Sequence, residues 1–500
     1  MRGSMKAAGV VILALVCSAH IGSPDVFFRG RAGAYDVHVV VRPPDVVPGV
    51  ARVTVRTSAD VQRVSIRPVF WRAGSKGAPS ADETQRLLGE SGGGTFAGSL
   101  WLMARGAYSV DVIVEGERGR ANLLVPVASV ATGNLRMDGG LAALLVLLGS
   151  ALCAGLVTIV YKAAGESLLV ANDTLDVVRR RRAQRVAALS VPLVVVALLG
   201  GARWWNAVDR DYERNIYRPS ALSLQLGGNE LRLAINDTLF QPPRRVSALI
   251  PDHGKLMHLF LVRAGDATAF AHLHPRAVDT SAVPAFTVAV PPLPAGDYHV
   301  YGDVVHETGF ERTTVGTLTL PAPDSGARTG GDADDGWVSG TASTSGRASL
   351  TDGSVMEMTL TPAAPIVARR ELSIHVAVKD TRGDVVTVEP YLRMPAHAVV
   401  TRLDGQVYIH LHPMGTTTMA AQEAFLARDR GDTTAGGRLR SSAHEMHSPS
   451  AITPMTASTE FPYAFPSAGD YRLFVQVKRG GRIHTGAFAV SVVEGPAKDR

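Results

Sequence analysis

Apolar and polar residues alternate in short runs along most of this 500-residue chain, and two long uncharged stretches interrupt the alternation once. Ala51 to Thr57 (ARVTVRT) and Tyr108 to Glu115 (YSVDVIVE) repeat with a period of two, the signature of strands with one buried face. Clusters of Gly, Pro and Ser separate such runs, so residues 33–130 predict one small β-sandwich. Gly139 to Tyr161 then carries no charge over 23 residues, enough to cross a bilayer. Val186 to Ala202 is a second, shorter apolar run with Pro192 inside it, and Trp204-Trp205 follow as membrane-interface residues would. These predict transmembrane helices over 139–161 and 186–204, joined by a basic loop over 162–185. From Asn206 onward short β segments resume. A stretch over 321–340, rich in Gly, Asp, Ser and Thr, reads as a linker between two further β modules, 215–320 and 341–495.

Each of these last modules carries one copy of a longer pattern. Leu256 to Pro275 reads LMHLFLVRAGDATAFAHLHP, and Pro395 to Met414 reads PAHAVVTRLDGQVYIHLHPM. In the second copy Asp404-Gly405 is a two-residue hairpin signal, because both central residues of a type I′ turn need positive φ. A turn there places His397 opposite His412 and Val399 opposite His410. Side chains alternate across a strand, so His397, His410 and His412 share one face, while Val400, Val407, Ile409 and Leu411 form the core face. In the first copy the turn is one residue longer; centred near Asp266, it sets His258 opposite His274 with His272 on the same face. Three imidazoles on a face turned away from the core can share a metal ion. The plainer reading of His-x-His on a strand is a solvated or hydrogen-bonded pair, and the recurrence of the arrangement favours the metal.

A second repeat links all three modules. ARGAYSVDV (from Ala104), AGDYHVYGDV (from Ala295) and AGDYRLFVQV (from Ala468) each place Gly, one residue, then Tyr before a strand. This resembles the tyrosine corner of immunoglobulin-like sandwiches. The fold expected is therefore mainly β: three immunoglobulin-like β-sandwich modules plus a transmembrane helical hairpin.

Charge and composition bear on topology. Arg2 and Lys6, an apolar run from Ala7 to Cys17, and Cys17-Ser18-Ala19 make residues 1–20 read as a secretory signal. Between the two spans lie Lys162, Arg179, Arg180, Arg181, Arg182 and Arg185 against three acids, which predicts a cytoplasmic loop and puts both large soluble regions outside. The same Arg run explains much of the formal net charge of +6, so nucleic acid is not expected as a partner. Gly89-Glu90-Ser91-Gly92-Gly93 has the letters of a hydrolase nucleophile elbow but no strand-then-helix context, and no enzyme is expected.

The only cysteines, Cys17 and Cys153, lie in apolar segments, which excludes thiolate metal sites in the soluble regions. Thirteen of the fifteen histidines fall between His253 and His484, and several Met residues lie near them, including Met257, Met394, Met414 and Met455. His with Met and no Cys suits copper in an oxidising compartment, with zinc bound by His alone as the competitor. At these residues MHLFLVR…FAHLHP followed by a Gly-x-Tyr strand resembles modules of bacterial secreted and membrane-anchored proteins often found beside heavy-metal-binding domains. The N-terminal module with its following span is similar to the YtkA-like or FixH-like group of extracytoplasmic β-domains. The resemblance implies an envelope protein that handles metal, with ligand roles for His258, His272, His274, His397, His410 and His412. Arg276 follows Pro275 where the second copy has Met414, so a Met ligand has no counterpart in the first. The expectation is a membrane-anchored extracytoplasmic protein that binds copper or zinc and exchanges it with a donor or acceptor. The alternative is an envelope interaction protein whose histidines are structural.

Overall fold

The computed structural model describes residues 20–21, 25–87, 94–135, 137–167, 169, 174–236, 248–279, 285–323, 331–434, 439 and 454–495. Outside them lie nearly all of the expected secretory signal, the Gly89–Gly93 loop, His444, His447 and part of the expected linker. The chain divides into two units: Val130–Arg218, and Met1–Ser129 together with Pro219–Arg500.

The smaller unit is a pair of helices, α1 (Gly139–Glu166) and α2 (Val177–Arg214). Each starts at an aspartate whose side chain accepts a backbone N–H of the first turn, Asp138 from Leu141 and Asp176 from Arg179. Their apolar side chains point outward, Leu147, Leu152 and Leu193 among them, as in helices that lie in lipid. Both exceed the expected spans. The basic loop predicted over 162–185 is helical at both ends, because Arg, Gln, Ala and Lys are good helix formers and carry the backbone ladder past the apolar stretch.

The larger unit is mostly strand. Its N-terminal module has a five-stranded and a four-stranded sheet facing each other over one core, in which Val39, Val53, Val55, Val64, Val112 and Val125 are buried. Strand Gly49–Thr57 buries every second residue, as its alternation predicts. The module over 215–320 is one continuous sheet. Its strands run in the order 276–279, 285–289, 230–236, 220–227, 311–320, 296–306, 258–263, 269–273, 336–339, and fold around a single core. A two-residue parallel pairing, Ser220 with Thr314 and Ala221 with Val315, joins its halves. The last module has a six-stranded and a four-stranded sheet over a third core. All three Gly-x-Tyr repeats make the backward bond. The Tyr108 hydroxyl accepts from the Ala104 N–H (3.1 Å), and those of Tyr298 and Tyr471 donate to the Pro294 and Ser467 carbonyls (2.7 and 2.8 Å).

The interval 321–340 is more than a linker. Gly336–Ser339 forms the edge strand beside Ala269–Leu273, and Asp332, Asp334 and Asp335 bond Lys255, Lys478 and His274. A helix, α3 (Met419–Arg430), stands where only strands were expected; Thr418 caps its start and Gly431, at φ 85°, ends it. Its Ala-Ala-Gln-Glu-Ala run is a helix former that the β reading of the region passed over. Phe425 of α3 meets Trp71 of the N-terminal module edge-on at 5.2 Å, within a cluster that also holds Ile250 and Val305 of the middle module. Arg428 donates to the carbonyls of Trp71 and Arg72, so α3 fastens all three modules.

Truncating Phe425 would leave a cavity among three modules that cannot all close on it. Phe425→Ala is expected to lower the unfolding free energy by about 3–5 kcal/mol. Chemical denaturation of the variant beside the parent measures this, and a loss below 1 kcal/mol would show that the α3 junction contributes little.

Candidate metal centre

Both hairpins have the expected register, although of Asp404-Gly405 only Gly405 has positive φ (70°), so the second turn is not the expected type I′. Leu259 pairs with Leu273 and Phe260 with His272, which sets His258 across from His274. Ala398 pairs with Leu411 and Val399 with His410, which sets His397 across from His412. In each, one face enters the module's own core. The other, which carries the histidines, does not face water: all six expected histidines are buried, the most exposed being His410 at 6%. The two His faces lie against each other.

The contact follows a pseudo-two-fold exchange. Phe270 of the first hairpin stacks on Phe474 (centroids 4.3 Å, 7° between planes), and its counterpart Tyr408 stacks on Tyr301, the counterpart of Phe474 (4.1 Å, 9°). Asp303 is the Cα partner of His258 in its own sheet, and Gln476 is the Cα partner of His397. Each reaches across to the other module. Gln476 Oε1 lies 2.9 Å from His272 Nδ1, and Asp303 Oδ2 lies 3.7 Å from His410 Nδ1.

The six histidines thereby join one cluster, and a seventh enters it. His253 has its ring 5.3 Å from those of both His397 and His412. In the group His258, His272 and His274, one nitrogen from each ring lies within 4.8 Å of the others; His253, His397 and His412 form a second such group. His410 lies between them, its ring 5.4 Å from His258 and 4.5 Å from His412. Sequence reasoning missed His253; its signal was the turn Asp252-His253-Gly254 just ahead of His258, which the strand pattern did not orient.

The surroundings fix which ring nitrogens turn inward. Asp335 Oδ1 accepts from both the backbone N–H and Nδ1 of His274 (2.8 and 2.9 Å). The Thr417 carbonyl accepts from His412 Nδ1 at 3.2 Å. Their Nε2 atoms, with Nε2 of His410 and both nitrogens of His397, are buried without a hydrogen-bond partner. His272 and His258 pose a proton problem. With Gln476 Oε1 accepting from His272 Nδ1–H and the Asp252 carbonyl from His258 Nε2–H (3.3 Å), the remaining nitrogens meet lone pair to lone pair at 3.1 Å. Two nitrogens on one tetrahedral ion, at bonds of about 2.0–2.1 Å, sit roughly 3.3 Å apart. A second proton on either ring would make a buried cation, whereas the neutral tautomer with the Tyr391 hydroxyl donating to His272 Nδ1 (3.0 Å) lets His272 Nε2–H donate to His258 Nδ1; burial, reinforced by neighbouring histidines, holds His258, His272, His397 and His410 well below the ordinary imidazole range. His412 is lowered to about 4 by the same burial.

Three of the methionines go elsewhere. Met257 is in the middle module's core, Met455 packs on the last module's core, and Met414 packs on the N-terminal core beyond the hairpin's end. His375 sits half-exposed on a separate strand, 4.0 Å from Glu460, and His484 bonds Thr351 at 2.8 Å. His299 lies against Gly405 at the tip of the second hairpin. A small pocket lined by Leu273, Val290, Asp332, Asp335 and Trp337 opens beside the Asp335–His274 pair.

The family that matches is described as a domain of unknown function (DUF8832) and covers residues 226–321 and 349–494, the two His-bearing modules. No curated protein matches the chain. Among solved structures the chain is similar to dimeric latent PorU from Porphyromonas gingivalis, with 8% identity, 94% of this chain and 34% of that one covered, and a TM-score of 0.14. It spans about a third of that protein's length. It is also similar to the fibronectin(III)-like modules of Clostridium thermocellum CbhA, with 9% identity, 55% and 94% covered, and a TM-score of 0.13. Both scores lie below fold-level similarity.

The buried imidazoles set a pH dependence. A histidine with a lowered folded-state pKa stays neutral in the fold while the unfolded chain takes up its proton near pH 6.5, so stability falls on acidification through that range. His38, lowered to about 4 in the N-terminal module, adds to the five in the cluster. Asp303 and Glu311 oppose them, since burial raises these acids to about 6 and 7 and makes the fold hold protons the unfolded chain has released. The histidines outnumber the acids. The melting temperature of the chelator-treated protein should therefore drop steadily from pH 6.5 to 4, and a flat or rising profile would contradict the burial of these rings.

Proposed function

We propose that the two His-bearing modules form a buried transition-metal centre in a membrane-anchored protein, and that the protein holds and hands on the ion without catalysing a reaction. The observation that carries this is the set of five buried imidazole nitrogens without hydrogen-bond partners, on His274, His397, His410 and His412, together with the 3.1 Å approach of His258 Nδ1 to His272 Nε2. Each unpartnered buried polar atom costs about 1–3 kcal/mol, so together they would consume much of the roughly 5–15 kcal/mol by which a typical domain is stable. A bound cation removes that cost at every nitrogen it reaches. Asp335 and the Thr417 carbonyl, each on the Nδ1 of an inward-facing ring, are the outer-shell partners that fix ligand orientation.

The ligand set favours Zn2+ or Cu2+. Copper was expected because Met lies near the histidines in sequence, but Met257, Met414 and Met455 pack into or against hydrophobic cores. Imidazoles backed by carboxylates and carbonyls suit either divalent ion. Three histidines in a group leave a coordination position through which an ion can be exchanged. We read the three β modules as immunoglobulin-like and the apolar helices as a membrane hairpin with the Arg179–Arg182 end in the cytoplasm. The tyrosine bonds support the first reading, and the outward apolar faces with the basic connection support the second.

Full-length protein in detergent, stripped with chelator and titrated with Zn2+ and then Cu2+, tests the metal reading. Binding at micromolar or tighter affinity is expected. His397→Ala and His412→Ala should each weaken, by on the order of 100-fold, the binding of the ion held by the group to which they belong, and His375→Ala should leave uptake unchanged. No uptake of either ion by the parent would replace this reading with that of an envelope interaction protein.

Sidedness is checked by fusions of alkaline phosphatase, which is active only outside the cytoplasm. A fusion after Glu166 should be inactive and one after Arg500 active; the reverse pattern would invert the topology.

A further inference from the structure

We infer that His253, His397 and His412 form a metal site shared between the two modules, and that a divalent ion of the Zn2+/Cu2+ class bound there fastens one module to the other. The inference rests on the metal reading and goes beyond it in assigning the two three-His groups different roles. His258, His272 and His274 all come from the first module's hairpin, so an ion there closes a site within one module. His397 and His412 come from the second hairpin and His253 from the first module, so an ion there has ligands on both sides of the interface.

The asymmetry has a local origin. Each hairpin is preceded by the same tight turn, Asp252 to Lys255 in one module and Tyr391 to Met394 in the other, closed by paired backbone bonds. In both, the two central residues have positive φ: His253 (51°) with Gly254 (84°), and Leu392 (49°) with Arg393 (68°). His253 and Leu392 are thus equivalent, and only the first can ligate. The turn of the second module contributes Tyr391 instead, whose hydroxyl lies 3.0 Å from His272 Nδ1 and donates to the Asp334 carbonyl.

His253 is also placed in advance. Positive φ is uncommon outside glycine, and histidine is among the residues that adopt it. The Asp252 carboxylate accepts the buried Ala420 N–H at 3.0 Å, at the N-terminus of α3 in the partner module, where a negative charge is stabilised. The Asp252 carbonyl accepts from His258 Nε2. The turn is therefore tied both to its own hairpin and to the helix that follows the opposing one. The Thr417 carbonyl that orients His412 stands one residue before the α3 cap, so the cap region positions two of the three ligands.

The test uses full-length protein in detergent, stripped and reloaded with Zn2+. Bound zinc per chain is measured together with hydrogen–deuterium exchange of 248–258, 269–273 and 397–411. The parent should bind two ions, and zinc should slow exchange on both sides of the interface. His253→Asn keeps a residue that tolerates positive φ but removes the imidazole; it should bind one ion and lose the zinc-dependent protection of 397–411. His274→Ala should also bind one ion yet keep that protection. Metal-free exchange of His253→Asn matching the metal-free parent establishes that the variant is folded; if it does not match, His253→Gly, which also allows positive φ, takes its place. A His253 variant that binds as much zinc as the parent, with the same protection, overturns the shared site while leaving the metal reading intact. A parent that binds no zinc overturns both.

Discussion

A β-hairpin that is apolar on both faces has to be covered twice. Leu259, Leu261, Ala271 and Leu273 fill the core of the middle module, while Phe260, Val262 and Phe270 on the opposite face belong to a separate cluster with Val399, Tyr408 and Phe474 of the last module. Neither hairpin could leave that second face in water without exposing a large aromatic patch. The two modules cover each other, and because the histidines occupy the same face, covering the aromatics also seals the imidazoles away from solvent. The association of the modules and the chemistry of the centre have one cause.

That arrangement separates two kinds of cost. Stacked aromatic pairs at 4.1 and 4.3 Å make the contact favourable, while the histidines make it costly unless something satisfies them. Asp335, Gln476, Asp303 and the carbonyls of Asp252 and Thr417 meet part of the demand from one side of the rings. One nitrogen each from His258, His272 and His274 lie within 4.8 Å of one another, as do one each from His253, His397 and His412, the spacing on which the proposed metal centre rests.

The remaining modules brace this contact. α3 follows directly from the second hairpin, is capped by Thr418 and by Asp252 of the middle module, and presents Phe425 to Trp71 of the N-terminal one. Arg29 donates its backbone N–H to the Met414 carbonyl and pairs its guanidinium with Glu460, while Arg42 and Arg56 share Glu371. The N-terminal module is thus joined to the last module by backbone and ionic contacts, and the end of the HLHP segment lies inside that joint.

Local rules made much of this legible in the sequence. Alternation assigned the faces, Asp404-Gly405 fixed one register, and the Gly-x-Tyr repeats announced three tyrosine bonds to backbone four residues upstream, because each depends on neighbours a few positions apart. Two uncharged stretches were enough to place α1 and α2, though not their ends, which polar helix formers extend. What the tertiary structure alone decided involves residues far apart in the chain. His272 meets Gln476 across 204 positions and Ala420 meets Asp252 across 168, and no periodicity encodes either. The same holds for His253, a turn residue whose direction is set by packing, and for Met414, whose nearness to His412 in sequence ends in a different core. A strand's alternation determines which side chains share a face; only the packing of one module on another determines what that face meets.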